Sequence, residues 1–313
     1  MTKVLVTGAT GFIGQALCRV LVQRDISVVA SSRSAPPPLL PCQDFVLAPL
    51  DSRANWSVTL QNCAVVVHLA ARVHVMKERS SIPLAEFRKT NVEGTRYLAL
   101  EAARAGVKRF IYLSSIKVNG EGTTATPFRF DDIPAPQDPY AVSKYEAEQV
   151  LFDIARKTGM EVVIIRPPLV YGPEVKGNLA SLAALIQKGI PLPFGLANNK
   201  RDLVSVNNLC DLIFLCLSHE KATGKVFLVS DGAAISTKRL VELMGQGLNK
   251  RIRLWPVPVW LISSIAELFG KSRLTDRLFG NLQIDIEYTC RQLDWQPPFS
   301  VADELNDAFG QSE

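Results

Sequence analysis

A chain of 313 residues with 47% hydrophobic content can bury a substantial core, which excludes a disordered chain and leaves room for one large α/β unit or a domain with a smaller lobe. Its 35 basic and 30 acidic residues leave a net charge of +5 without runs of like sign, a balance that gives no support to nucleic-acid binding. The cysteines form no CxxC pair and the histidines His68, His74 and His219 are scattered, so free thiols and no metal are expected.

The opening MTKVLVTG runs straight into an apolar strand with no secretory pattern, so a cytoplasmic protein is expected. Strand candidates follow at 3–7, 27–31, 45–49, 65–70, 110–115 and 162–166. Helical patterns lie between them. The first, from about Phe12 to Arg24, carries Ile13, Leu17, Val20 and Leu21 on one side; another runs through LAEFRKTNVEGTRYLALEAARAG, and a third from about Ala141 to Thr158. This alternation predicts an α/β fold with a doubly wound parallel sheet. After Arg166 the chain becomes rich in Pro, Gly and Asn, the texture of a second lobe. A helix from about Asn207 to Ser218 and the strand-like KVFLVS return to the first unit, so the boundary is discontinuous. Residues 1–170, with 205–230, are expected to form the larger sheet domain, and 171–204 with 231–313 a smaller lobe. Helices at 237–247, at 258–269 and after Ser300 complete that lobe. The apolar WPVPVWLISSIAELFG at 255–270 is shorter than the roughly 20 residues a spanning helix needs. It reads as an amphipathic helix of the small lobe, with a membrane-surface element as the other reading.

VTGATGFIG places Gly8, Gly11 and Gly14 where the first strand gives way to the first helix, with Thr10, Phe12 and Ile13 completing the turn. Backbone amides at such a helix start receive a pyrophosphate, which marks a Rossmann-type dinucleotide site. The second strand ends in VVASSRS, without the acid that would take the 2′-hydroxyl of NAD. Ser32 and Arg33 suit a 2′-phosphate instead, favouring NADP(H), with NAD(H) the alternative. Asp51, after the third strand, is a candidate for the adenine edge.

Tyr140 and Lys144, four residues apart, share a face if DPYAVSKYEAE is helical. On spacing alone that is more often a solvated helix face than a proton-transfer pair. Taken in order, the glycine loop, HLAA (68–71), NVEGT (91–95), LSS (113–115), YAVSK (140–144), RPPLVYGP (166–173), RDLVSV (201–206) and the closing LDWQPPFSVADEL resemble the extended short-chain dehydrogenase/reductase family over essentially the whole chain. The likeness is greatest to UDP-sugar 4-keto reductases and 4-epimerases of bacterial polysaccharide synthesis. It implies that Tyr140 is the proton donor, that Lys144 lowers its pKa and holds the nicotinamide ribose, and that Ser115 bonds the reacting oxygen. Ser114, Ala70, Ala71 and Pro167 would border the cofactor, and Asn91 would brace the site. His68 reads as a packed histidine and Tyr145 as packing. Lys117, where epimerases often carry Thr, is a candidate substrate contact, and Asn119 replaces the motif's tyrosine. Asn178 and Arg201 are candidates for the nucleotide phosphates, with Arg273 or Arg277 as a second cation.

The expected reaction is NADPH-dependent reduction of the C4 keto group of a UDP-4-keto-6-deoxy-(N-acetyl)hexosamine. The alternatives are a UDP-hexose 4-epimerase using bound NAD and a non-catalytic dinucleotide-binding scaffold. The resemblance also implies a homodimer.

Overall fold

The structure, a computed structural model, describes residues 2–50, 54–73, 83–268, 275 and 278–310. Its centre is a seven-stranded parallel sheet in the order β3-β2-β1-β4-β5-β6-β9. These strands are β1 (Lys3–Thr7), β2 (Ser27–Ser32), β3 (Asp44–Leu47), β4 (Cys63–His68), β5 (Arg109–Leu113), β6 (Glu161–Arg166) and β9 (Lys225–Leu228). A smaller parallel pair is made by β7 (Leu169–Tyr171) and β8 (Leu203–Ser205). From β1 the order runs outward through β2 and β3, then restarts on the other side with β4. The carboxyl ends of β1 and β4 therefore flank the crevice in which open α/β sheets take ligands.

The expected strands are all present, with shifted ends. β5 stops at Leu113, so Ser114 and Ser115 fall in the loop beyond it. KVFLVS does return, as β9 along the outer edge of β6.

Both faces of the sheet are covered by helices whose apolar sides meet it. α1 (Phe12–Gln23) and α7 (Val206–Cys216) lie on one face, where Leu17, Cys18 and Leu21 join Leu209, Cys210 and Ile213 in one core. On the other face lies a helix built of α3 (Pro83–Phe87), a π-helical stretch (Arg88–Gly94) and α4 (Thr95–Arg104). Beside it runs α5 (Pro139–Thr158), and the four-residue α2 (Trp56–Thr59) fills the corner. Each fully buried Leu, Ile or Val here contributes roughly 1.5–3 kcal/mol.

A third core joins α6 (Asn178–Gln187), α8 (Thr237–Gly247) and α11 (Val301–Phe309) through Leu179, Leu182, Val241, Met244 and Leu305. α10 (Glu287–Leu293) packs back toward the first core through Leu293. α9 (Val259–Leu268) forms inside the apolar 255–270 stretch, yet it leaves Trp260, Leu261 and Leu268 in solvent. Among the described residues no helix is long and apolar enough to cross a membrane. The cysteines are free, and burial pushes the thiols of Cys18, Cys210 and Cys216 up to about 12.

Candidate active site

The glycine loop leaves β1 at Gly8, whose φ is +70°. A Cβ at Gly8 would lie 2.8 Å from the Ala70 nitrogen, and one at Gly14 would lie 2.3 Å from the Gly8 carbonyl oxygen. Both glycines are thus required by close backbone approach, of the loop after β4 in one case and of α1 onto its own entry loop in the other. Gly11 caps α1 without a side-chain acceptor, so the first amides of the helix, from Phe12 onward, are left for an anion. Glycine cradle and uncapped helix start together fit a dinucleotide pyrophosphate. At the end of β2, Thr10 Oγ1 and Ser32 Oγ lie 2.7 Å apart, with Ser34 Oγ 3.4 Å from each; Arg33 is exposed beside them. Asp51 lies outside the described residues, as do His74, Arg273 and Arg277.

Ala70 and Ala71 follow β4 and are partly buried, and the Ala70 amide donates to Thr7 Oγ1 at 3.3 Å. His68 is fully buried between Thr7 Oγ1 at 2.6 Å from Nδ1 and Thr95 Oγ1 at 2.9 Å from Nε2. Burial, helped by the Lys144 charge, holds its pKa down to about 3, so it stays neutral and serves as a brace. That agrees with its reading as a packed histidine.

α5 starts where the sequence calls for it: Asp138 is the N-cap, its Oδ1 accepting from the Ala141 amide at 2.7 Å, and Pro139 occupies the first turn. This sets Tyr140 at the head of the helix, its ring 6.1 Å from that of Phe87, and Lys144 one turn further in. The end of β5 packs onto this helix at two points. Lys144 Nζ stands 4.1 Å above the Tyr112 ring, and Ser114 Oγ donates to Glu148. Ser115, extended and partly exposed, caps the short turn Ile116–Val118, with the Lys117 amide donating to its Oγ at 3.3 Å. Pro167 borders the same corner: its carbonyl accepts from the Ile116 amide at 2.9 Å. Ser114, Ser115, Pro167, Tyr140 and Lys144 therefore gather at the carboxyl edge of β5 and β6, beside the crevice lined by Gly8 and Ala70.

The electrostatics depart from the sequence expectation. Burial, then the Asp138 carboxylate, raises the Tyr140 phenol above its ordinary value, whereas a lowering by Lys144 was expected. The lysine's ammonium faces the Tyr112 ring, and burial draws its own pKa down to about 7 against the pull of Glu148, so the cation is present only part of the time near neutrality.

Asn91, inside the π-helical stretch, accepts from the Arg72 amide at 2.7 Å and donates to the Arg72 carbonyl and to Ser143 Oγ. Ser143 Oγ in turn donates to the Tyr140 carbonyl at 2.7 Å, so Asn91 ties the loop after β4 to the head of α5. Lys117 is engaged by carboxylates: its Nζ donates to Asp138 at 2.6 Å and Glu121 at 2.8 Å. Asn119 is buried and accepts from Arg166 Nη1 at 2.9 Å, while Arg166 also pairs with Glu148 through two nitrogens, at 3.0 and 2.6 Å. Asn119 thus replaces the motif's tyrosine as a structural brace. Asp138, Glu148, Glu121 and Ser143 were not singled out from sequence; only Asp138, as a capping residue before a proline, left a readable signal there.

The nucleotide candidates stand on the other lobe. Asn178 is the exposed first residue of α6, entered through Gly177 at φ +76°. Arg201 pairs through its backbone with Ile235 and donates from Nη1 to the Gly280 carbonyl at 3.3 Å. Its neighbour Asp202 turns inward and accepts from the Ile284 amide. Tyr145 lines an outer cleft of about 380 Å³ with Arg88, Glu146 and Val150, away from the crevice. Among the described residues no cluster of His, Cys, Asp or Glu could hold a metal ion.

The profile of the NAD dependent epimerase/dehydratase family matches residues 4–230. A UDP-glucose 4-epimerase of Vibrio cholerae is 47% identical over 301 residues, 95% of this chain and 91% of that protein. The fold matches a UDP-glucose 4-epimerase from Thermotoga maritima solved with UDP-glucose, with a TM-score of 0.79, 24% identity and coverage of 98% and 97% of the two chains. It matches equally a Bacillus cereus UDP-glucuronic acid 4-epimerase in complex with NAD, with a TM-score of 0.79, 22% identity and the same coverage. The chain belongs to the NAD dependent epimerase/dehydratase family, an NAD(P)-dependent oxidoreductase/epimerase of the extended short-chain dehydrogenase/reductase class.

Proposed function

We propose that this enzyme is a UDP-hexose 4-epimerase working on bound NAD. The observation that carries the reading is the 47% identity to a UDP-glucose 4-epimerase across 91% of that protein's length. This weighs toward the epimerase rather than the keto-sugar reductase that the end of β2 first suggested. Tyr140, ionised once the cofactor is bound, takes the proton of the sugar's 4-hydroxyl as the C4 hydrogen departs as hydride, and returns it when the keto sugar is reduced on its other face. Ser115 donates to the same oxygen and fixes its place. An oxidised nicotinamide, when bound, would supply the hydride acceptor and a positive charge opposing the upward push on the Tyr140 phenol. Lys144 holds the cofactor ribose, and Lys117 offsets the Asp138 carboxylate beside Tyr140. Asn178 and Arg201 hold the diphosphate from the other lobe.

On this reading residues 1–170 with 205–230 bind the dinucleotide, and 171–204 with 231–313 bind the sugar nucleotide. The division is supported by β9 and α7 joining the sheet and its core while α6, α8 and α11 form their own. Free, buried cysteines suit a cytoplasmic setting. The outer face of α4 and α5 is the surface proposed for a homodimer.

One observation favours the second reading, an NADPH-dependent UDP-4-keto sugar reductase: the end of β2 offers hydroxyls and Arg33 where a carboxylate would serve NAD. Incubation of the purified protein with UDP-glucose, followed by NMR, separates the two. The epimerase yields UDP-galactose without added NADPH, and Tyr140→Phe loses about 10²–10⁴-fold in turnover with cofactor affinity kept. NADPH oxidation by a UDP-4-keto sugar, with no interconversion, overturns it in favour of the reductase.

A further inference from the structure

The most exposed large aromatic residues of the substrate lobe sit together with cations. Trp255 is 61% exposed, Trp260 on α9 is 68% exposed and Leu268 at its end 85%. Backbone bonds lay a second segment alongside. The Leu192 amide donates to the Arg253 carbonyl, the Trp255 amide to the Leu192 carbonyl and the Gly195 amide to the Trp255 carbonyl. That segment adds exposed Ile190 and Leu196. Lys188, Lys250, Arg251 and Arg253, all exposed, stand in the same two segments; neither 185–196 nor 250–258 contains an Asp or Glu, and α9 carries one acid, Glu267, beside Leu268.

Folding alone does not call for this composition. Indoles in water lose hydrophobic free energy, and four cations without an interspersed acid repel one another. An anionic lipid surface relieves both, because indole rings settle at the headgroup boundary while Lys and Arg stems lie along it with their charges in the headgroups. A second copy of this chain is a poorer occupant, since a two-fold contact would set these cations against their own counterparts. We propose that the face formed by Trp255, α9 and the Lys188–Leu196 segment docks onto an anionic membrane surface, holding the enzyme there without spanning the bilayer. The docking is independent of which sugar is turned over.

The test is co-sedimentation of the full chain with vesicles of phosphatidylglycerol and phosphatidylethanolamine, against vesicles of phosphatidylcholine. Binding is expected to the anionic vesicles, with a blue shift of tryptophan emission and a loss of binding as salt is raised. Trp255→Ala with Trp260→Ala should lower the partition on the order of tenfold, and Lys250→Gln with Arg251→Gln and Arg253→Gln should abolish the preference for anionic lipid. Each variant should keep wild-type turnover of a water-soluble UDP-sugar and wild-type circular dichroism. Equal partition to both vesicle types, no binding to either, or sedimentation equilibrium showing a dimer that Trp260→Ala dissociates would each overturn the proposal. The wild-type vesicle result decides even if a variant fails to fold.

Discussion

Lys144 is a cation placed where the fold pays for it. Its ammonium is buried against the Tyr112 ring, and its pKa falls from an ordinary 10.5 to about 7. The unfolded chain therefore holds the proton more tightly, so the destabilisation is fully present below pH 7 and fades as pH rises from 7 toward 10.5. Lys144→Met is expected to abolish turnover yet raise the melting temperature of cofactor-free protein at pH 6, with a gain that shrinks at pH 9; calorimetry at both values checks it. The grouping of Ser115, Tyr140 and Lys144 at one sheet edge was legible from the order of their motifs along the chain. Their environment was not. Lys117 bridging to Asp138, or Asn119 meeting Arg166, joins residues 21 and 47 positions apart, and only the packed helix and strand ends bring them into contact.

Among elements, the joint between α5 and the edge of β5 and β6 depends on one buried ion pair. Glu148 and Arg166 are almost wholly inaccessible, and Ser114 and Asn119 complete the hydrogen bonding around them. Removing one partner strands the other's charge, so Arg166→Met is expected to cost about 3–5 kcal/mol in urea unfolding, more than a compensated pair of apolar replacements. The glycine loop makes a sharper statement. Gly14→Ala would drive its methyl into the Gly8 carbonyl, so cofactor affinity measured by titration calorimetry should fall at least about tenfold even where the protein folds. Helices and strands were readable from period and punctuation, since apolar spacing at 3.6 or 2 follows directly from which side faces the core. Strand ends were less so. β5 ends at Leu113, yet the Ser114 amide still donates to the Ile165 carbonyl of β6 while its side chain reaches Glu148, a tertiary contact with no local mark.

At the scale of the molecule, distant segments of the chain are joined over buried acids. Asp231 accepts from Tyr171 Oη, the Ser205 amide and Asn208 Nδ2, and Asp202 accepts from the Ile284 amide. Burial raises the Asp202 carboxyl to about 6. Because that is above the unfolded value of 3.8, its stabilising proton is fully present below pH 3.8 and lost as pH rises through 6. Asp202→Asn, which keeps an acceptor for Ile284, is expected to stabilise the protein by about 1–3 kcal/mol at pH 8 and by nothing below pH 3.8, measured by denaturant unfolding at each pH. The return of the chain to the sheet was visible in the sequence as a strand-like KVFLVS far downstream. Its acids were hidden because nothing local distinguishes a buried Asp from a surface one.

That discontinuity has a consequence for how the chain comes into being. α1 leaves the ribosome well before its cover: Leu17, Cys18 and Leu21 are covered by α7, whose Leu209, Cys210 and Ile213 emerge roughly 190 residues later. β6 likewise waits for β9 to close its open edge. Throughout most of synthesis the glycine cradle hangs on a helix with one greasy side bare and a sheet with an unpaired border, a nascent form prone to aggregation that holdase chaperones would shield. Vectorial synthesis thus leaves the glycine cradle on an incomplete sheet until the chain has passed β9, although Gly8, Gly11 and Gly14 are made long before it.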